Sequence, residues 1–475
     1  MTKKMHLQQW IGPILFLMTI LLPLPLDQKQ QVFLGIFLWV VCQWLFTEIP
    51  LFATGIMGIA LSVILGVTTA KEALAPFSDS LIFLFLGGFF LARSLEVLKL
   101  DKKIAMALLS LPFIRGKLSH TILAILCLTA FFSMWVSNTA TTAMMLPIVL
   151  GLLKGLDIEE VEVKQVMMLA TAYSATIGGV ATPIGSPPNI IAIGMLKNLA
   201  GVDFSFLSWV MMAMPICLIM LYFVYKLTLS KIPLALLERP IKASINEEPP
   251  KNLTKQESQV LVLFGLIIFL WFSPSFISLV FGSDHSITLL IEQRLNPGIV
   301  ALFIASLLFL FPLGEQEKIL TQREAMKIDW ATLLLFGAGL SLGQILFQTG
   351  LATLAGNSLI AFMGQSSMLL FIFCLILFTI FFTEIASNTA TANILIPLII
   401  ATSLQASLPP LIPVLAVAIS CNLAFMLPVA TPPNAIVFGS GHVTLKSMVK
   451  MGFWLNLASL LVLTVLFTIL YGVYR

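Results

Sequence analysis

The sequence predicts an all-α polytopic membrane protein with about eleven transmembrane helices, two re-entrant hairpins and an inverted internal repeat. Hydrophobic residues make up 59% of the chain and charged residues only 10%, and the mean hydropathy of +1.03 exceeds what keeps a globular protein in solution. Apolar runs of roughly 17 to 25 residues, each long enough to cross about 30 Å of hydrocarbon, recur along all 475 residues. Short polar motifs occur twice at a nearly constant separation.

The first apolar run begins near Trp10, behind only two lysines, where a signal peptide would also lie. Pro23 and Pro25 do not form a small-residue cleavage site, and more spans follow, so this helix is expected to be retained. The other spans expected in the first half are 32–46, 52–67, 81–98 and 206–227, together with a broken pair at 121–152 and an interrupted helix at 166–196.

Residues 1–230 are expected to form the first repeat and residues 258–475 the second. The segment 231–257 between them is polar and contains Pro249 and Pro250 among charged residues, which predicts a solvated linker. The spans expected in the second half are 260–281, 297–311, 330–348 and 451–474, together with a broken pair at 368–404 and an interrupted helix at 413–439.

The distribution of basic residues predicts the orientation in the inner (plasma) membrane. A cytoplasmic N-terminus places 21 of the 26 lysines and arginines inside, including those of the linker, and leaves five outside. Counting each broken pair as two spans or as one re-entrant hairpin leaves this result unchanged. The positive-inside rule therefore favours a cytoplasmic N-terminus and an external C-terminus.

Five pairs of motifs occur in the same order in both halves. The pair richest in polar side chains is Ser137-Asn138-Thr139 and Ser387-Asn388-Thr389, 250 positions apart. The other pairs are Gly87-Gly88 with Gly337-Ala338 and Pro147 with Pro397 at 250, Pro50 with Pro297 at 247, and 185–189 with 430–434 at 245. With the spans above, the first hairpin opens from the cytoplasm and the second from outside, as in the inverted repeats of secondary transporters.

The two Ser-Asn-Thr motifs lie in the middle of otherwise apolar hairpins. Such small polar residues also join transmembrane helices to one another, and a single copy would be read most simply in that way. Non-helical polar backbone at membrane depth is tolerated where it is buried in protein or faces a water-filled cavity. Two equivalent copies with the same asparagine therefore indicate a binding site.

Each hairpin is followed by an apolar helix that a Pro-Pro-Asn sequence interrupts, at Pro187 and at Pro432. A proline pair removes two backbone donors, and a single break of this kind would be read as a kink. Two matched breaks indicate discontinuous helices around a site near the membrane midplane.

These segments supply hydroxyl, amide and carbonyl oxygens that suit a dehydrated alkali cation, and helix N-termini that suit a carboxylate. No lysine or arginine lies near them, so co-bound cations must offset the charge of an anionic substrate. Coupling to sodium follows as an expectation. Scattered cysteines and histidines at span ends argue against a resident metal and a histidine proton relay, and no organic cofactor or nucleic acid partner is expected.

With paired Ser-Asn-Thr hairpins and paired Pro-Pro-Asn breaks, the whole chain resembles the divalent anion:sodium symporter family. The resemblance implies a homodimeric elevator-type transporter that imports small dicarboxylates such as succinate, malate and fumarate with sodium. A sodium-independent dicarboxylate exchanger of the same fold is the alternative, and citrate or sulfate remain open as substrates. An enzyme is not expected, because no nucleophile-base pair, metal set or carboxylate dyad occurs at membrane depth.

The resemblance also implies roles for individual residues. The implied sodium ligands form two equivalent sets: Ser133, Ser137, Asn138 and the Gly185 carbonyl, and Thr383, Ala386, Asn388 and the Ala430 carbonyl. The residues implied for substrate binding are Asn138, Thr139, Asn388 and Thr389, with Ser186, Thr431 and Pro432 nearby. Glu384, three residues before the second motif, is interpreted as a structural or solvent-facing carboxylate that is also placed to tune the second sodium site.

Overall fold

The structure, a computed structural model, describes residues 2–111, 114, 117–155, 160–238, 253–310, 312–313, 317–363 and 368–474. The regular secondary structure of the described part is helical apart from a short antiparallel ribbon of β1 (Pro312–Leu313) and β2 (Glu317–Lys318). Residues 239–252, the centre of the expected linker, lie outside the described residues.

The helices of the first half are α1 (Thr2–Leu21), α2 (Gln28–Phe46), α3 (Leu51–Ile64), α4 (Ala70–Leu74), α5 (Ser80–Val97), α6 (Leu100–Leu109), α7 (Leu118–Ser133), α8 (Asn138–Gly155), α9 (Val161–Gly178), α10 (Pro187–Ala200), α11 (Phe206–Leu229) and α12 (Leu234–Leu237).

The helices of the second half are α13 (Lys255–Phe281), α14 (Ser286–Arg294), α15 (Pro297–Leu310), α16 (Gln322–Ala325), α17 (Trp330–Gln348), α18 (Leu351–Met363), α19 (Met368–Ile385), α20 (Asn388–Gln405), α21 (Leu411–Asn422), α22 (Pro432–Gly439) and α23 (Leu445–Tyr474).

Seven helices in the described residues are long and apolar enough to cross a membrane, and an eighth span results if α14 and α15, bent by 51°, count as one. The sequence predicted about eleven. The difference arises because the apolar part of α1 (Gln8–Leu21) and helices α3 and α21 are shorter than a span, and because the expected helix 166–196 is divided into α9 and α10. One of the seven long helices, α19, is an arm of the second hairpin and was not among the eleven. Six of the helices named above lie outside the expected spans: α4, α6, α12, α14, α16 and α18.

Helix starts in the two halves use the same side-chain bonds. The hydroxyl of Thr69 accepts from the backbone N–H of Glu72 at the start of α4, and Thr321 accepts from Glu324 at the start of α16. The carboxylates of Asp79 and Asp329 cap α5 and α17. The repeat seen in the sequence therefore extends to local structure outside the polar motifs.

Helices of one half pack on those of the other. Helix α15 packs on α5, and its equivalent α3 packs on α17. A Cβ on Gly87 of α5 would lie 2.6 Å from the carbonyl oxygen of Ala301, and one on Gly55 of α3 would lie 2.9 Å from Cβ of Ala338. Small residues thus permit close helix approach at both crossings, as is typical of membrane helices.

The hairpins and the interrupted helices form the inner part of the fold. Helix α9 packs against both arms of the first hairpin, α7 and α8, and α21 packs against both arms of the second, α19 and α20. The helix that follows each break packs on helices of the other half of the sequence. Helix α10 packs on α20 and α21, and α22 packs on α8 and α9. This exchange brings both hairpins and both breaks into one cluster.

Candidate functional site

Each Ser-Asn-Thr motif begins the second arm of its hairpin. The Oγ atom of Ser137 accepts a 3.2 Å hydrogen bond from the N–H of Ala140, and Ser387 accepts one of 3.1 Å from Ala390. Serine is a preferred residue at this position because it satisfies a free donor of the first helical turn. The asparagine that follows is the first residue of α8 or of α20.

An equivalent hydrogen bond joins the first arm of each hairpin to the asparagine of its motif. The buried Ser133 hydroxyl donates to Oδ1 of Asn138 at 2.6 Å. The buried Thr383 hydroxyl lies 2.8 Å from Oδ1 of Asn388 and also 2.8 Å from the carbonyl oxygen of Cys421. The structure therefore brings together the hydroxyl and amide oxygens that the sequence grouped in each half.

The two breaks lie at residues 179–186 and 423–431. The sequence placed the interruption at the proline pairs, and this was wrong by a few residues. Pro187 and Pro188 are the first two residues of α10, and Pro432 and Pro433 are the first two of α22. Proline fits the first turn because its N–H would have no helical partner there and its fixed φ suits a helix.

An asparagine at the start of each second half-helix binds carbonyls in the break before it. Nδ2 of Asn189 donates to the carbonyl oxygens of Gly179 at 2.9 Å and Thr182 at 2.8 Å. The second half repeats both bonds 245 positions later, from Asn434 to Ala424 at 3.3 Å and to Leu427 at 3.0 Å. These amides satisfy backbone acceptors that the unwound segments leave without helical partners.

A side chain of the first break attaches that break to the first hairpin. The Thr182 hydroxyl donates to the carbonyl oxygen of Met134 and accepts from the N–H of Gly185 at 3.1 Å. The side chain of Asn138 lies directly on Gly179, where an added Cβ would be 2.2 Å from Oδ1 of the asparagine. The absence of a side chain at Gly179 therefore lets Asn138 reach the break.

In the second half, the link runs from the hairpin to the break. Oε1 of Glu384 accepts from the N–H groups of Phe425 at 2.7 Å and Met426 at 2.9 Å, and Oε2 accepts from Leu427 at 3.0 Å. Nδ2 of Asn456 donates to Oε1 at 2.7 Å. Glu384 is only 3% exposed, so the solvent-facing interpretation is wrong and the carboxylate binds backbone.

These two links are reciprocal. Glu384 is equivalent to Met134, and Leu427 is equivalent to Thr182. The first half uses a side chain of the break and a backbone oxygen of the hairpin, whereas the second uses a side chain of the hairpin and backbone N–H groups of the break. Both arrangements hold hairpin and break together.

The remaining residues predicted for the site lie at the breaks and motif ends. Gly185, Ser186, Ala386, Ala430 and Thr431 are buried, Thr389 is half-buried, and Thr139 and Pro432 are exposed. The sequence did not single out Thr182 or Asn422 for the site. A hydroxyl next to a break and an asparagine in an apolar helix were the available signals, but each has an apolar residue at the equivalent position of the other half.

Apart from the Glu384 carboxylate, which backbone N–H groups and Asn456 bind, the electrostatic character of the cluster comes from dipoles and neutral oxygens. The stretches 118–153, 165–196 and 328–445 contain both hairpins and both breaks, and they hold no lysine or arginine. Four helices, α8, α10, α20 and α22, begin within the cluster, and helix N-termini attract anions. The cluster can therefore bind cations through oxygens and a carboxylate through N–H groups.

Discontinuous helices that meet at a polar site within an apolar fold define the class of secondary membrane transporters. The chain belongs to the divalent anion:sodium symporter family, because the family model described as "Sodium:sulfate symporter transmembrane region" matches residues 3–474. The resemblance seen in the sequence is confirmed, and the protein is a multi-pass membrane transporter and not an enzyme.

Curated relatives agree with this assignment. The chain is 33% identical to the sodium-dependent dicarboxylate transporter SdcS of Staphylococcus saprophyticus, with 95% of this chain and 89% of the relative covered. It is also 33% identical to the transporter of the same name from Staphylococcus aureus strain USA300, with 95% and 88% covered.

Two solved transporter structures share the fold at low sequence identity. The Alcanivorax borkumensis YdaH transporter matches with a TM-score of 0.56 and 13% identity, over 94% of this chain and 98% of that chain. Neisseria gonorrhoeae MtrF matches with a TM-score of 0.53 and 12% identity, over 98% and 97%.

Proposed function

We propose that the protein uses the sodium gradient to import small dicarboxylates such as succinate, malate and fumarate. The observation that carries the proposal is the pair of equivalent hydroxyl-amide contacts, Ser133 with Asn138 and Thr383 with Asn388. Membership of the family and relatives named as sodium-dependent dicarboxylate transporters support the same function.

Sodium is proposed to bind at two equivalent places. The two proposed ligand sets are Ser133, Ser137, Asn138 and the Gly185 carbonyl, and Thr383, Ala386, Asn388 and the Ala430 carbonyl. The donor chemistry fits, because hard cations take oxygen ligands and transporters supply them from ends of half-helices and unwound backbone. Sodium at either place would replace the hydrogen bond between the hydroxyl and the asparagine.

The dicarboxylate is proposed to lie between the two hairpins. The proposed contacts are Asn138, Thr139, Asn388 and Thr389, with Ser186, Thr431 and Pro432 at the adjacent helix starts. Asparagine and threonine side chains donate hydrogen bonds to carboxylates, and the helix N-termini add N–H donors. The stretches 118–153, 165–196 and 328–445 contain no lysine or arginine that could balance a dianion. Bound sodium therefore supplies the positive charge.

The proposal includes an architecture. Residues 1–230 and 258–475 form two inverted repeats joined by the cytoplasmic linker 231–257, and the N-terminus faces the cytoplasm. Two observations support the repeat. The helix after each break packs on the other half of the sequence, and equivalent threonines cap α4 and α16. A homodimer that moves its hairpins and breaks as an elevator completes the proposal.

Uptake of radiolabelled succinate into proteoliposomes, with sodium or choline outside, tests the function. Symport predicts uptake only with sodium, whereas the exchanger predicts sodium-independent counterflow with internal dicarboxylate. Asn138→Ala and Asn388→Ala should each abolish uptake in protein that still purifies as folded protein. Near wild-type uptake by both variants would contradict the site assignment.

A further inference from the structure

Asn422, the last residue of α21, connects the second half of the molecule to the motif at the first break. It is fully buried, and its equivalent in the first half is the apolar residue Ile177. Its Oδ1 accepts from the hydroxyl of Ser186 at 2.5 Å, and its Nδ2 lies 2.8 Å from Oδ1 of Asn189. Both partners belong to the Ser-Pro-Pro-Asn sequence of the first half, more than 230 residues away.

The direction of these hydrogen bonds follows from the backbone. Nδ2 of Asn189 must face the carbonyl oxygens of Gly179 and Thr182, because a carbonyl only accepts. Oδ1 of Asn189 therefore faces Asn422, which must present its own Nδ2 there and to the Ala418 carbonyl at 2.9 Å. Oδ1 of Asn422 is left for Ser186, whose hydroxyl consequently donates.

The two breaks differ at this point. Thr431, the equivalent of Ser186, uses its hydroxyl to cap its own helix, accepting from the N–H of Asn434 at 3.3 Å. In the described part of the chain, the Ser186 side chain makes no such cap and binds Asn422 instead. The usual local bond at a helix start is thus replaced by a bond between the two halves.

The hydrogen bond between Ser186 and Asn422 connects the two proposed sodium sites. Ser186 follows Gly185, whose carbonyl is assigned to the first site. Asn422 follows Cys421, whose carbonyl accepts from Thr383 of the second site. A continuous path of covalent and hydrogen bonds therefore runs from Gly185 through Ser186, Asn422 and Cys421 to Thr383.

We propose that Asn422 is a positioning residue that fixes the first break relative to the second, so that sodium binding at the two sites and substrate binding are coupled. The inference rests on the proposed sodium-coupled function. A ligand that orders one break orders the other through this link, and the second ligand then binds to a prepared site.

The test compares purified wild-type protein with Asn422→Ala, Ser186→Ala and the double variant in proteoliposomes. The KM for succinate is measured at a low and at a saturating sodium concentration, and the ratio of the two values reports coupling. Asn422→Ala should reduce this ratio by roughly fivefold or more, the lower end of typical coupling. Ser186→Ala should reduce it similarly, and the double variant should reduce it no further than Asn422→Ala alone, because both substitutions break the bond between Ser186 and Asn422.

Thr171→Ala is the matched control. The Thr171 hydroxyl is buried in α9, and among the residues that the structure describes it bonds only along its own helix, to the carbonyl oxygen of Met167 at 2.8 Å. Its loss should leave the ratio unchanged. Loss of a simple substrate contact would raise both KM values equally and would also leave the ratio unchanged.

A wild-type ratio in Ser186→Ala and Asn422→Ala would overturn the inference and leave the proposed function standing. Sodium-independent uptake by the wild-type protein would instead overturn the proposed function. If Asn422→Ala does not fold, Ser186→Ala decides, because it cuts the same link and leaves the bonds of Asn422 to Asn189 and Ala418 in place.

Discussion

The Ser133 hydroxyl and Oδ1 of Asn138 lie 2.6 Å apart, and Thr383 and Asn388 repeat the contact at 2.8 Å. Two oxygens at this distance can both contact one cation. In each pair the hydroxyl lies in the last turn of the first hairpin arm, and the asparagine is the first residue of the second arm. The pairs are chemically alike, with a hydroxyl and an amide in each half.

The first prediction concerns these hydroxyls. Ser133→Ala and Thr383→Ala should each raise the sodium concentration for half-maximal uptake, because each removes a proposed ligand with little effect on substrate preference. We expect an increase of about 5- to 20-fold, for roughly 1 to 2 kcal/mol of binding free energy. Ser133→Thr and Thr383→Ser exchange the hydroxyl residues of the two halves and should retain most sodium affinity. Unchanged sodium dependence in both alanine variants would contradict the assignment of these hydroxyls as sodium ligands.

The second prediction concerns Gly179. Gly179→Ala should abolish most uptake, because the added Cβ would lie 2.2 Å from Oδ1 of Asn138 and would displace that amide. Gly151→Ala on α8 is the control, since a Cβ there meets no atom of the described residues within 4 Å. Uptake and sodium half-saturation are measured for both variants. If Gly179→Ala transports like Gly151→Ala, Asn138 does not need the position that the structure gives it.

The third prediction concerns Glu384. Glu384→Met copies the equivalent residue of the first half and leaves buried N–H groups of the second break without an acceptor. We therefore expect the free energy of unfolding to fall by about 1 to 3 kcal/mol for each unsatisfied group. Glu384→Gln keeps one acceptor oxygen and should lose less.

Thermal unfolding of the purified protein in detergent measures this loss. Glu384→Met combined with Leu427→Thr recreates the pairing of Met134 and Thr182, and it should recover part of the stability. A Glu384→Met variant that melts at the wild-type temperature would show that the carboxylate does not hold the break.

The fourth prediction is the orientation, which the charge distribution sets. In a background without the five native cysteines, Ser230→Cys should resist an impermeant maleimide in intact cells, and Ser283→Cys should react. Both serines are exposed and lie close to the ends of membrane helices, so accessibility alone does not separate them. The reverse labelling pattern would place the N-terminus outside.

Features that recur in the chain could be predicted from the sequence. The hairpins follow from the two Ser-Asn-Thr motifs, and α7, α8, α19 and α20 begin and end within three residues of the predicted broken pairs. The breaks were expected from the proline pairs but lie before them, because proline at the first helical turn starts a helix and does not interrupt one there.

Features that occur once could not be predicted in this way. Asn422 and Thr182 have apolar equivalents, Ile177 and Leu427, so the repeat gave no signal for them. The partners of Glu384 are backbone N–H groups some 40 residues away, and backbone donors leave no mark in a sequence. Helices α14 and α18 were missed because they are shorter than a membrane span.

The proposed site, with neutral oxygens and helix dipoles, is expected to hold a dianion only together with sodium. Calorimetric titration of succinate into the purified protein, over a series of sodium concentrations, measures this most directly. We expect each bound sodium to tighten succinate binding by roughly 5- to 150-fold, more than one sodium to take part, and succinate to tighten sodium binding by the same factor. A succinate Kd that does not change between sodium and choline would contradict it.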